Sequence, residues 1–184
     1  GVVRWTYDGG TQIGELDGRP SERVDRFVTQ LCKAGLNSTA SNTIIAATWT
    51  KLVGWAPIGL LATLTRQNNA GVLSDKLLAR QYIEMVRELS ALATKRGVEL
   101  LDLGPFHVST WLNQSDADAL TNMMGSTLAA SDSTHSALQD IQRGVPTELG
   151  AMLKPLLSDA RECKISMPRV ESLYAALMGL ERTL

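Results

Sequence analysis

The stretch that decides the fold class is NTIIAATWTKLVGWAPIGLLATL, residues 42–64. Its apolar residues recur every three or four positions, which is the period of an α-helix and not of a strand. The pattern predicts a helix over 44–64. We expect it to be bent or broken at Pro57, because the proline ring removes a backbone donor and crowds the preceding turn.

Helical periodicity continues from this stretch to the C-terminus. The clearest amphipathic helix spans 74–96, with an apolar stripe that predicts its buried face: Leu78, Tyr82, Met85, Leu89 and Leu92. The other predicted elements are a polar loop at 66–71 and helices at 114–130, at 136–142, from a cap at Thr147 to about Cys163, and from Pro168 onward.

The residues before this stretch follow a strand-like pattern. β-branched and aromatic residues at 2–7, the turn signal Asp8-Gly9-Gly10 and a second run at 11–16 predict a β-hairpin. An amphipathic helix that stops at Gly35 and a short strand at 36–40 follow. So few strands cannot form a covered sheet. We therefore expect residues 1–41 to be the rim of a larger α/β sheet with a part missing upstream, and residues 42–184 to form an all-helical domain.

Composition argues against several classes of function. The 184 residues include 18 basic and 19 acidic side chains, for a net charge of -1, which does not favour a nucleic-acid binder or a polybasic membrane-surface protein. The most apolar run, 52–64, is about a dozen residues, short of the roughly 20 that span a bilayer. Cys32 and Cys163 have no metal-ligand spacing, and no metal site is expected.

Lys51 lies within the most apolar helix, where burying a charged ammonium is costly. One interpretation is a snorkelling lysine whose stem packs on the helix while its ammonium reaches water. The other is a lysine held in a cleft as a proton donor or a carboxylate binder. Periodicity leaves both open.

Residues 136–149, SALQDIQRGVPTEL, join two helices through a Gly-Val-Pro break. In the simpler interpretation, Thr147 or a neighbour caps the second helix and Glu148 complements its dipole. In the functional interpretation, Ser136 and Glu148 direct polar atoms from two helix starts into one space. The two histidines, His107 and His135, are expected at the surface or at helix ends.

Taken together, these segments resemble the ketopantoate reductase (2-dehydropantoate 2-reductase) family. The resemblance covers almost the whole chain: the end of a Rossmann-like nucleotide-binding domain over 1–41, then the helical C-terminal domain over 42–184. That helical fold is also similar to the one in 6-phosphogluconate dehydrogenase. The segments that carry the resemblance are Gly14-Glu15-Leu16-Asp17-Gly18, Trp49-Thr50-Lys51-Leu52, Asn68-Asn69-Ala70-Gly71, Ser136-Ala137-Leu138-Gln139-Asp140 and Pro146-Thr147-Glu148-Leu149.

The resemblance implies a cytoplasmic homodimer that uses NADPH, bound mainly by a missing N-terminal domain, to reduce a small 2-oxo acid. It implies that Lys51 is the general acid and that Glu148 is catalytic and also cofactor-binding. Ser136 would bind the substrate carboxylate. Asn69 would contact the substrate, with Asn68 nearly as good a candidate. A developing charge on the ketone oxygen would be stabilised by an ammonium that also donates the proton.

Two positions depart from the family pattern. Family members have asparagines four and eight residues after the lysine, where this sequence has Trp55 and Gly59. An indole removes an acceptor and fills volume, so Trp55 is a candidate substrate contact of a different kind. Two hypotheses follow: a reductase for a different, more apolar 2-oxo acid, or a non-catalytic helical ligand-binding or dimerisation module that retains the scaffold.

Overall fold

The computed structural model describes residues 9–184. The chain divides into two compact units, Gly1–Thr48 and Trp49–Leu184. The first strand of the predicted hairpin, at 2–7, lies outside the described residues. The described elements that begin in the first unit are β1 (Thr11–Ile13), α1 (Glu22–Lys33), β2 (Ser38–Ala40) and α2 (Ile44–Thr65).

The first unit contains a parallel strand pair. β1 pairs with β2 in the register Thr11 to Ser38 and Ile13 to Ala40, and α1 lies between them in sequence. This is a β-α-β connection, which parallel strands require. Ser21 caps α1 by accepting the Val24 N–H at 3.3 Å. The strand predicted over 11–16 is shorter than expected, because a turn at residues 16 and 17 ends it.

The second unit is mainly helical, as predicted, and contains one short hairpin among its described elements. The prediction of an all-helical domain is therefore wrong at residues 102–107, where β3 and β4 pair in antiparallel fashion. The elements after α2 are α3 (Asn69–Ser74), α4 (Lys76–Lys95), β3 (Asp102–Leu103), β4 (Phe106–His107), α5 (Val108–Leu112), α6 (Asp116–Met124), α7 (Ser136–Gln142), α8 (Leu149–Glu162) and α9 (Pro168–Glu181).

Of the two outcomes predicted at Pro57, a bend or a break, the break does not occur, because α2 is one helix from Ile44 to Thr65. Pro57 has no N–H, so the Val53 carbonyl four residues earlier has no helical donor. The next carbonyl, that of Gly54, has a donor from another helix. The buried Tyr82 hydroxyl donates to the Gly54 carbonyl at 3.1 Å, one turn before the proline. Tertiary packing thus supplies a polar contact at the point where the helix is locally weakest.

By length and composition α2 could cross a membrane. In this protein 56% of its most apolar window is buried inside the fold, which fits a core helix. Its buried side chains join those of α4, and α4 packs against α3, α5, α6 and α9. The stripe predicted on α4 is confirmed: Tyr82, Met85, Leu89 and Leu92 are at most 1% exposed, and Leu78 is half-buried.

Several predicted boundaries shift. The loop predicted over 66–71 ends earlier, because Asn68 caps α3 by accepting the Gly71 N–H at 2.8 Å. The helix predicted over 114–130 is only Asp116–Met124, since Gly125 forms its C-cap. Helix α5 was not predicted. Helix α7 has the predicted bounds, and α9 starts at Pro168 as predicted.

Candidate functional site

The structure brings Ser136 and Glu148 together. Ser136 is the first residue of α7, and Glu148 is the N-cap of α8. The Ser136 hydroxyl donates to Glu148 Oε1 at 3.4 Å, and both residues are exposed. A hydroxyl and a carboxylate thus meet at an open surface where two helices begin.

Glu148 is positioned by the residue before it. The Thr147 N–H and Oγ1–H donate to Glu181 Oε1 at 2.8 and 2.7 Å, and Thr147 Oγ1 accepts the Leu149 N–H at 3.2 Å. Thr147 therefore contributes to capping α8, although Glu148 occupies the N-cap position. The carboxylate of Glu181, in the last turn of α9, holds the segment that carries Glu148.

Lys51 and Trp55 lie on the same face of α2, one helical turn apart. Four residues of helix correspond to a rise of about 6 Å. Lys51 is exposed and Trp55 is half-buried. Within residues 9–184, no hydrogen bond or ion pair joins Lys51 to Glu148 or Ser136. The exposure of Lys51 is compatible with both interpretations of this residue.

His135 makes the contact that the sequence did not reveal. Its imidazole stacks on the Trp55 indole with ring centroids 4.6 Å apart and planes tilted by 31°. The Phe106 ring makes a T-shaped contact with the same indole, with ring centroids 5.8 Å apart and planes at 82°. A Cβ atom at Gly59 would lie only 2.6 Å from His135 Cε1, so the missing side chain at position 59 makes room for the imidazole.

His135 occupies a helix end, as expected, but it is buried and not at the surface. It is 1% exposed, and its Nδ1 accepts the Ala137 N–H at 3.2 Å as the cap of α7. Burial lowers the pKa of His135 to about 4, against the opposing effects of the Trp55 carbonyl and Asp140. The imidazole is therefore neutral at physiological pH, with Nδ1 as the acceptor and the proton on Nε2.

The two asparagines at the start of α3 differ in their contacts. The Asn68 side chain is committed to capping the helix. Asn69 is 1% exposed, and its Oδ1 finds no hydrogen-bond partner within the described part of the chain. The Asn69 N–H donates to the Ser133 carbonyl at 3.2 Å, which links α3 to the segment leading into α7. An unpartnered buried acceptor is costly unless a donor reaches it.

These contacts connect most of the predicted site residues. Trp55 contacts His135, the neighbour of Ser136, and Ser136 contacts Glu148. The Asn69 backbone N–H is hydrogen-bonded to the segment that leads into α7. Lys51 lies one helical turn before Trp55 on α2. The set comprises an ammonium, a hydroxyl, a carboxylate and an aromatic stack, which are groups suited to a small polar molecule that carries both an anionic and an apolar part.

The sequence model of the family described as "Ketopantoate reductase PanE/ApbA C terminal" matches residues 43–181. Because this match covers well over half of the chain, the chain belongs to that family. Among curated proteins, it is 24% identical over 181 residues to the 2-dehydropantoate 2-reductase of Pyrococcus abyssi. That alignment covers 98% of this chain and 55% of the relative. The chain spans about half the length of the curated relatives it matches.

Solved structures share the fold at low sequence identity. The ternary structure of D-mandelate dehydrogenase with NADH and anilino(oxo)acetate has a TM-score of 0.75 at 16% identity, over 98% of this chain and 70% of the other. The dimeric ketopantoate reductase from Staphylococcus aureus has a TM-score of 0.68 at 17% identity, over 94% of this chain and 54% of the other. At these identities, the likeness is evidence of shared fold.

Proposed function

We propose that the protein carrying this chain is an oxidoreductase that uses NAD(P)H to reduce the ketone of a 2-oxo acid, in the manner of a 2-dehydropantoate 2-reductase. The observation that carries the proposal is the contact between Ser136 and Glu148 at two helix starts, connected through His135 and Trp55 to the helix that bears Lys51. Membership of the ketopantoate reductase family supports the reaction class.

The cofactor, when bound, supplies a hydride to the ketone carbon. The exposed carboxylate of Glu148 fits such a group, because it can accept hydrogen bonds from ribose hydroxyls. The preference between NADPH and NADH depends on the nucleotide-binding domain, since the residues that read the ribose lie there.

The residues of this chain provide the acid chemistry in the proposal. Lys51 donates a proton to the ketone oxygen as negative charge develops there, so that carbon gains a hydride and oxygen gains a proton. The Ser136 hydroxyl donates to the substrate carboxylate. Glu148 orients Lys51 or a substrate hydroxyl. Asn69, with its unpartnered Oδ1, is favoured over Asn68 as the asparagine that meets the substrate.

The experiment uses the full-length protein with a 2-oxo acid and NAD(P)H, followed by cofactor absorbance. Lys51→Ala should lower kcat/KM by a factor of at least about 10² while cofactor affinity stays within about twofold. Lys76→Ala, at an exposed lysine that begins α4, is the control and should behave as the wild type. Retained turnover in Lys51→Ala would refute the role of Lys51. A protein that oxidised no cofactor with any 2-oxo acid would instead favour a non-catalytic ligand-binding or dimerisation module.

We also propose that the protein is a cytoplasmic homodimer that associates through its helical domain. The similarity to a dimeric reductase from Staphylococcus aureus supports the dimer. Light scattering coupled to size exclusion tests it, because a mass equal to one full-length chain at micromolar concentration would refute it.

A further inference from the structure

One group of residues, here called the Trp55 stack, forms a wall near the proposed general acid Lys51. It consists of Trp55, His135, Phe106 and Gly59. Its indole stacks on the His135 imidazole, with ring centroids 4.6 Å apart, and makes a T-shaped contact with Phe106 at 5.8 Å. Such contacts fix the orientation of an aromatic ring. Position 59 can hold only a glycine without displacing His135. Trp55, Gly59 and His135 therefore form one interdependent arrangement.

The wall is uncharged and has its hydrogen-bond acceptor already occupied. The Nδ1 acceptor of His135 is taken by the Ala137 N–H. An indole offers one donor and no acceptor. Burial keeps the imidazole neutral. The stack presents only N–H donors, among them His135 Nε2, which has no hydrogen-bond partner within the described residues. A hydroxyl group placed against this wall would lose its water partners, and its own O–H would find no acceptor on the stack.

The wall lies beside two residues that the proposed function assigns to the substrate. Trp55 follows Lys51 by one turn on α2, and His135 directly precedes Ser136. A 2-oxo acid whose ketone oxygen meets Lys51 and whose carboxylate meets Ser136 would direct its third substituent toward the indole between them. Trp55 is only half-buried, so part of its ring remains open to such a substituent.

We infer that the Trp55 stack is a specificity-determining wall that selects 2-oxo acids with a hydroxyl-free apolar side chain, aromatic or branched. This inference rests on the proposed function. It assigns to His135 and Gly59 a joint role, since the imidazole holds the indole and the glycine leaves room for the imidazole.

Two matched substrates test the inference in the full-length protein with NAD(P)H. They are 3,3-dimethyl-2-oxobutanoate and its 4-hydroxy derivative, which differ by one hydroxyl group. The wild type should prefer the hydroxyl-free acid by at least about tenfold in kcat/KM. Trp55→Asn, which restores an amide acceptor, should shift that ratio toward the hydroxylated acid by about ten- to a hundredfold. Trp55→Gln is a second variant in case Trp55→Asn does not fold.

Trp49→Asn is the matched control. It removes another half-buried indole from α2, one outside the stack, and should leave the ratio unchanged. A wild type that prefers the hydroxylated acid, or a ratio unmoved in both Trp55 variants, would overturn the inference and leave the proposed function standing. If the wild type oxidises no cofactor with any 2-oxo acid, the proposed function fails and the inference falls with it.

Discussion

Acidification should destabilise the helical unit through His135. The unfolded chain binds a proton on this histidine near the ordinary pKa of about 6.5, whereas the folded protein does so only near a pKa of about 4. Between these values the unfolded state holds more protons, so stability is lost as the pH falls from about 6.5 to about 4. Above about pH 7, His135 is neutral in both the folded and the unfolded state, and its effect on the pH dependence of stability vanishes.

The magnitude follows from the two pKa values. From about pH 7.5 to about pH 4.5 the linkage lowers the free energy of unfolding by about 2.5 kcal/mol. Carboxylates also titrate in this range, so the wild type alone does not isolate the effect. His135→Asn removes the titrating group and keeps a side-chain acceptor for the Ala137 N–H, because asparagine is a favourable N-cap.

The assay is urea unfolding followed by circular dichroism, since the unit is mainly helical. His135→Asn should be less stable than the wild type near pH 7.5, because the stack on Trp55 is lost. On acidification from about pH 7.5 to about pH 4.5, the free energy of unfolding of His135→Asn should fall by about 2.5 kcal/mol less than that of the wild type. An equal loss on acidification in His135→Asn and the wild type would refute the reasoning.

Two further predictions concern the core and a helix start. Tyr82→Phe removes the donor to the Gly54 carbonyl near Pro57 and should lower the free energy of unfolding in urea by about 1–2 kcal/mol. Tyr174→Phe in α9 is the control. Unchanged stability in Tyr82→Phe would contradict the prediction. Glu88→Ala leaves the Arg169 and Val170 N–H groups at the start of α9 without their carboxylate and should cost about 1–2 kcal/mol. Glu171→Ala breaks an exposed pair with Arg161 and removes an acidic side chain from the first turn of α9, without removing a cap acceptor. It should cost only about 0.5 kcal/mol, and equal losses in both variants would contradict the capping role.

The long helices could be predicted because their signals are local. The stripe of α4, the stop after α1 and Pro168 at the start of α9 each act within a few residues. Other features depend on distant partners. The strand at 11–13 pairs with residues 38–40, on the far side of α1 in sequence, and no local pattern indicates that partner. The hairpin at 102–107 has two-residue strands, too short to show a period.

The same distinction applies to the candidate site. The segments around Ser136 and Glu148 could be predicted to meet, because only a short break separates their helices. The stack on Trp55 could not, since His135 is 80 positions away in sequence and its pattern gives no sign of burial. Gly59 was the one available signal, because a glycine inside an apolar helix often marks a close approach of another group.

The hydrogen bonds that Thr147 donates to Glu181 have a practical consequence for protein engineering. The segment before α8 is anchored by the Glu181 carboxylate in the last turn of α9, 34 positions away. A truncation that removed Glu181 would release that segment while leaving the buried apolar residues in place. An assay of folding alone would then report an intact domain whose surface carboxylate at Glu148 was no longer oriented. Shortened versions of this domain should therefore end after Glu181.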